Sequence, residues 1–347
     1  MRYNKVYLDT IGYELAPIVV TSAELEKRVE SVYRALRVPP GQLEMITGII
    51  ERRWWEPGFL VSDGAIAAAQ KCLAKSTVTP EDIEVLIYAG VCREGFEPAT
   101  ACRVAHHIGV SPSADVFDVG NACLGVMNGI VEVANRIELG QIRAGLVVSC
   151  ETAREIVEST IERLSANPNM ELFKLTIATL TGGSGAVATL ITDGSFTDDR
   201  QPRLIGGVSR NAPRFHDLCR WRVDHDPATP WSEIMTTDSV AVLNNGVALG
   251  ERTWQAFLKE MRWTKKSIDR VICHQVGSKH QEKILQQLQI SPDKDYVTHP
   301  YLGNIGTVSL PITAALAHER GVLEPGQQVG FLGIGSGLNC MMLGWEW

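Results

Sequence analysis

The sequence predicts an α/β fold assembled from two copies of one unit, and three observations carry that prediction. Short strand-like runs flanked by glycine alternate with longer helix-like runs. The segment Thr79-Pro80-Glu81-Asp82-Ile83-Glu84-Val85-Leu86-Ile87 is echoed 185 positions later by Thr264-Lys265-Lys266-Ser267-Ile268-Asp269-Arg270-Val271-Ile272, and Gly145-Leu146-Val147-Val148 lies at the same offset from Gly330-Phe331-Leu332-Gly333. Residues 108–112 resemble 288–292, so matching pieces recur in matching order, as a duplicated unit requires. We divide the chain into halves 1–200 and 201–347, enough residues to bury a sizeable core without staples.

The elements follow in order. A Thr21-x-x-Glu24 capping box opens a helix with Leu25, Val29, Val32 and Leu36 on one side. A second helix starts near Ser62 and runs through an Ala-rich stretch to Leu73. Strands are expected at 85–90 and 115–119, the latter leading into Asn121-Ala122-Cys123-Leu124-Gly125. Next comes a helix whose apolar face is Met127, Ile130, Val131, Ala134 and Ile137. Further strands are expected at 144–150, 185–191, 270–273 and 329–334, and the stretch 192–235, rich in Asp, Arg, Pro and Trp, reads as an irregular connection.

Composition narrows the function. There are 33 Lys and Arg against 40 Asp and Glu, a net charge of −7, which argues against a nucleic-acid binder with its basic stripe. With 45% apolar and 21% charged residues the chain is a folded globular protein rather than a disordered one. Eight cysteines, with no CxxC pair, point to a reducing compartment and mostly buried, inert thiols. The first residues run straight into a strand-like segment, and nowhere do 18 apolar residues follow one another, so a cytoplasmic protein without a membrane span is expected.

The candidate chemistry gathers in three places. Cys123 sits at or next to a helix start, where free N–H groups and the helix dipole favour a thiolate, and its small neighbours Ala122 and Gly125 leave room for a substrate. His274-Gln275 ends the second-half strand that corresponds to 85–87. By the same repeat, the turn around Asn304 corresponds to the Cys123 turn, so pseudo-twofold packing brings all three to one pocket. Gly333-Ile334-Gly335-Ser336-Gly337 allows close backbone approach and a share in an oxyanion hole; it lacks the Lys-[Ser/Thr] of a phosphate-binding loop. A competing reading is a metal site at His216-x-x-Cys219 with Asp224-His225-Asp226, whose spacing is irregular.

These motifs resemble the β-ketoacyl-acyl-carrier-protein synthase III family of the thiolase superfamily over nearly the whole chain. Asp118-x-x-Asn121-Ala122-Cys123 is similar to its nucleophile motif, His274-Gln275 to its histidine motif, and Gly303-Asn304 with Ser309-Leu310-Pro311 to its asparagine motif. Gly183-Ser184-Gly185-Ala186 is similar to the glycine turn that precedes a core strand. The resemblance implies a thiolase-like, five-layered αβαβα fold, a homodimer, and acyl transfer to Cys123 followed by Claisen condensation with a second thioester. It implies that His274 and Asn304 bind the carbonyl of that thioester and that the backbone N–H groups of Cys123 and Ser336 hold the acyl oxyanion. No cofactor is implied beyond the coenzyme A of the thioester substrates; the second acyl group rides on coenzyme A or on an acyl carrier protein.

Two departures refine the expectation. Where malonyl-using synthases carry Phe before the Pro of a dimer-reaching loop, this chain has Glu97, a feature of the OleA-type branch that condenses two fatty acyl-CoAs head to head to a β-keto acid. A fatty acyl-CoA needs a base to remove its α-proton, whereas a malonyl donor loses carbon dioxide instead. The alternative is the decarboxylating synthase itself. The second departure is at the coenzyme mouth, where 42–49 lacks the family's Trp and Arg, and Gly277 and Lys279 stand where Asn and Arg are common. Lys279, Arg220 with Trp221 and Arg222, the stretch Arg52-Arg53-Trp54, and the close-approach positions Gly335 and Gly337 are the candidates there.

Overall fold

The computed structural model describes residues 1–223 and 233–347. Its strands in chain order are β1 (Tyr7–Leu15), β2 (Ile18–Thr21), β3 (Glu51–Trp54), β4 (Val85–Ala89), β5 (Asp115–Val119), β6 (Ala144–Glu151), β7 (Gly185–Thr192), β8 (Arg203–Asn211), β9 (Cys219–Val223), β10 (Glu233–Thr237), β11 (Arg270–Cys273), β12 (Gln328–Gly335) and β13 (Asn339–Glu346). Strands β4, β6 and β7 are buried along their whole length, which accounts for their unbroken apolar runs: a sheet covered by helices on both faces has no wet side to encode.

Nine strands form one mixed sheet in the order β11-β12-β13-β8-β1-β7-β6-β4-β5. The duplication is written in this order. In the first half β5, β4 and β6 are parallel, and β7 and then β1 are added antiparallel. In the second half a parallel bridge at Asp295 precedes β11 and β12, which are parallel, and β13 and then β8 are added antiparallel. The halves join where β1 meets β8, at the antiparallel pair Tyr7 and Arg203. The fragments that resemble each other in sequence therefore fall on equivalent elements: 79–87 on β4 and 264–272 on β11, 145–148 on β6 and 330–333 on β12.

Helices fill the layers around the sheet. Gly125–Glu138 buries Met127, Ile130, Val133, Ala134 and Ile137 against β4 and β6, each large side chain contributing roughly 1.5–3 kcal/mol. The Thr21 capping box forms, but its helix stops at Arg28 and a second, Glu30–Leu36, resumes beyond Val29. The stretch 192–235 is not the connection its composition suggests. It contains β8, a central strand, with β9 and β10 forming a separate ribbon. Glycines disguised β8: a Cβ on Gly207 would lie 2.6 Å from the Met342 carbonyl of β13, so the pairing excludes the side chain that would have marked a strand.

Candidate active site

Strands β5 and β11 each run out into a segment that carries a candidate residue, Cys123 after β5 and His274 after β11. From β5 the chain turns through Asn121 and Ala122 into Cys123. Ala122 holds φ +44°, a left-handed conformation that costs a residue with a Cβ about a kcal/mol or more. The turn is held because Asn121 donates from Nδ2 to Asn128 Oδ1 at 2.8 Å and accepts at Oδ1 from Asn339 Nδ2 at 3.0 Å. Asp118 accepts from the backbone N–H groups of Thr100 and Ala101 at 3.0 and 2.9 Å, tying β5 to the helix Thr100–Ile108.

The Asn304 turn arrives from the other half. Its backbone is pinned on both sides, with the Asn304 N–H donating to Thr181 O at 2.9 Å and its carbonyl accepting from Gly183 N–H at 3.0 Å. The Asn304 Oδ1 accepts from Gly306 N–H at 3.2 Å, which leaves the side-chain NH2 as the group to offer a substrate. Three residues on, Thr307 Oγ1 accepts from Val126 N–H at 2.8 Å, stapling this turn to the helix that follows Cys123. His274 leaves the end of β11 with its backbone N–H on Leu332 O at 3.0 Å and its ring Nδ1 2.7 Å from Ser309 Oγ. Gly335 closes the circle: a Cβ there would sit 3.4 Å from the Cys123 nitrogen, so the β12–β13 turn that carries Ser336 and Gly337 lies against the nucleophile turn.

The electrostatics correct one expectation. Cys123 precedes a helix that begins only at Gly125, and burial pushes its thiol up to about 12, with Cys219 and Glu151 nearby adding in the same direction. Burial outweighs the helix start, so the resting residue is a thiol rather than a thiolate. His274 is pushed down to about 4, first by burial and then by His280, and is a neutral imidazole.

The remaining predicted residues lie outside this cluster. Glu97 is exposed, on a loop whose neighbour Phe96 is 96% exposed. Lys279 is exposed in the first turn of the helix Ser278–Leu288, whose start packs on Thr47 and Gly48. Arg220 and Arg222 are exposed on β9, while the indole N–H of Trp221 donates to Glu233 at 2.8 Å. Arg52 and Trp54 are corrections. Arg52 is fully buried, donating to Ser22 Oγ and Val20 O, and Trp54 is buried with its N–H on Gly182 O. Neither reaches a coenzyme mouth. Asp224, His225 and Asp226 lie outside the described residues, among which no group of three metal-ligating side chains occurs.

The structure adds two residues. Glu151 ends β6 only 4% exposed, accepting from Val91 N–H at 2.9 Å and Cys92 N–H at 3.1 Å and lying against Gly306. Burial raises its pKa against those hydrogen bonds. A carboxylate closing an apolar strand was the signal available in the sequence. Ser309, fully buried, was visible only as part of a motif.

Residues 61–224 match the family model for the thiolase N-terminal domain, and residues 258–347 match that for the C terminal of 3-oxoacyl-[acyl-carrier-protein] synthase III. The chain is 51% identical to an acyl-CoA:acyl-CoA alkyltransferase of Shewanella oneidensis and 35% identical to one of Xanthomonas campestris, with all of both chains covered in each case. It superposes with a TM-score of 0.94 on a crystal structure of a cysteine-to-serine variant of Xanthomonas campestris OleA with bound lauric acid and lauroyl-CoA, at 34% identity, covering 99% of this chain and 100% of that one. Other crystal structures of that enzyme carry substitutions at a glutamate and at a histidine.

Proposed function

Because this chain belongs to the acyl-CoA:acyl-CoA alkyltransferase family of thiolase-fold condensing enzymes, we propose that it joins two fatty acyl-CoAs head to head. In the first step the Cys123 sulfur displaces coenzyme A from one acyl-CoA; the thioester moves to Cys123 and the thiol proton leaves with the coenzyme. In the second, a base removes an α-proton from the other acyl-CoA, and His274 and Asn304 stabilise the enolate oxygen. The enolate carbon attacks the acyl-Cys123 carbonyl, whose oxyanion rests on the N–H groups of Cys123 and Ser336, and the Cys123 thiolate leaves and recovers the proton. Water then cleaves the remaining thioester to a β-keto acid and coenzyme A.

The observation that carries this reading over a decarboxylating one is Glu97. It takes the place of an apolar residue on an exposed loop, and it precedes Cys123 by 26 positions. The glutamate and the cysteine substituted in the Xanthomonas campestris OleA structures are spaced alike. In this reading the Glu97 loop of one subunit enters the pocket of a second copy, which accounts for a fully exposed Phe96 beside it. Exposed Lys279 and Arg220, with Trp221, are assigned in this reading to the coenzyme phosphates and ring, and Gly335 and Gly337 to the close passage of the thioester past Cys123. No cofactor is needed beyond the coenzyme A carried by the substrates, and eight free thiols suit a reducing cytoplasm.

The test is incubation of the purified protein with a long-chain acyl-CoA alone, with products read by mass spectrometry. A 2-alkyl β-keto acid with twice the carbon number of the acyl group is expected. Product that appears only when malonyl-carrier protein is added would replace this reading with the decarboxylating one.

A further inference from the structure

We propose that Ser309 fixes the tautomer of His274, holding its proton on Nε2 so that the ring acts as a donor to the thioester oxygen and not as the base. The inference deepens the condensing reading above, since it assigns how one residue of that site is set. Ser309 is fully buried, and His274 Nδ1, 2.7 Å away, is the one hydrogen-bond partner of its hydroxyl among the described residues. A buried O–H with nothing to donate to costs roughly 1–3 kcal/mol, whereas a spare lone pair on a hydroxyl costs little. The hydroxyl therefore donates, and Nδ1 must present its lone pair. As burial keeps the ring neutral, its single proton lies on Nε2.

Two neighbouring features support the assignment. Ser309 opens the helix Ser309–Glu319 just beyond the Asn304 turn, so one short segment supplies the Asn304 amide donor and sets the His274 donor. A second histidine is held the opposite way. Gln275 Nε2 donates to Cys273 O at 2.8 Å, and its Oε1 accepts from the backbone N–H groups of Thr298 and His299 at 2.9 and 3.2 Å. That same oxygen lies 3.2 Å from His299 Nδ1, which must then carry the proton. With His274 committed as a donor, removal of the α-proton falls to a different group.

The experiment is a long-range 15N–1H spectrum of the full-length protein labelled at histidine nitrogens, assigned with His274→Ala and His299→Asn. His274 is expected to be protonated at Nε2 and His299 at Nδ1, each serving as the other's reference. A proton on Nδ1 of His274 would overturn the proposal whether or not the protein condenses acyl-CoAs, and absence of β-keto acid would overturn the functional reading without touching the tautomer. In activity, Ser309→Ala should lower condensation about ten- to a hundredfold while acyl groups still load onto Cys123, and Ser309→Thr, which keeps the hydroxyl, should recover most of it. Equal loss in the Ala and Thr variants, with the His274 signals unchanged in both, would reduce Ser309 to packing.

Discussion

Glu151 accepts the backbone N–H of Val91 at 2.9 Å, so the buried carboxylate that ends β6 anchors the root of the loop carrying Glu97. The same carboxylate accepts from Cys92 N–H at 3.1 Å, and its side chain lies against Gly306, in the Asn304 turn. One buried group thus joins the Asn304 turn to the loop proposed to serve a second subunit.

Glu151→Gln should loosen that tie. An amide can accept only one of the two loop N–H groups and turns its own NH2 toward the other. Hydrogen bonds to a charged acceptor are worth roughly 1.5–3 kcal/mol, and 1.4 kcal/mol is a factor of ten. Amide exchange at Val91 and Cys92 should therefore quicken by about ten- to a hundredfold, read by hydrogen-exchange mass spectrometry. Unchanged exchange there would remove Glu151 from this role.

The half-buried Cys123 thiol should resist alkylation at neutral pH. With its pKa pushed up to about 12, the rate of iodoacetamide labelling at Cys123 should still be climbing above pH 9. A plateau below pH 8 would mean that the turn stabilises a thiolate after all.

His274→Ala and Asn304→Ala should separate the two half-reactions. Both residues are assigned to the second thioester, so long-chain acyl groups should still load onto Cys123, seen as added mass on its peptide. Condensation should fall by a factor on the order of 10²–10³, the usual loss when an oxyanion donor is removed. If loading collapses as severely as condensation in both variants, the division of labour is wrong.

Glu97→Gln should leave Cys123 acylation intact and stop condensation of two acyl-CoAs. Glu97 is exposed in its own chain, and in the proposed reading it serves the pocket of a second copy. Co-expression of Glu97→Gln with Cys123→Ala should then restore about half the wild-type activity per mixed dimer, because one pocket holds both intact residues. Purified heterodimers with no recovery would place Glu97 in its own chain's pocket or outside the chemistry.

His299 should make the fold acid-sensitive. Burial lowers its pKa from 6.5 to about 4, so the unfolded chain takes up the proton first as the pH falls. The stability that neutral His299 contributes is complete above about pH 6.5 and is lost on going down to about pH 4, on the order of 3 kcal/mol in all. His274 and His280 act in the same direction, while Asp295, raised to about 6 by burial, opposes them. The informative quantity is therefore a difference. Asn at position 299 can still donate to Gln275 but cannot titrate, so the gap in melting temperature between wild type and His299→Asn should narrow from pH 7 to pH 4.5. A constant gap would contradict the burial argument.

Much of this was legible in one dimension. The Thr21 capping box, the apolar runs of β4, β6 and β7, and the echoes between the halves are local patterns, and the Cys123 and Asn304 turns stand at matching places in the duplicated order of elements. Burial and partnership are not local. Arg52 reads as a surface cation until the Ser22 segment and the Gly303 turn close over it, and β8 reads as a connection until β13 presses on Gly207. Cys123 reads as a thiolate at a helix start, yet the burial that the fold imposes raises its pKa and holds the proton. Periodicity and motif spacing are properties of neighbours along the chain, and they determined the fold class and the candidate residues. The protonation state of each residue depends on what segments 100 or more positions away do to its solvent, and that only the tertiary structure decided.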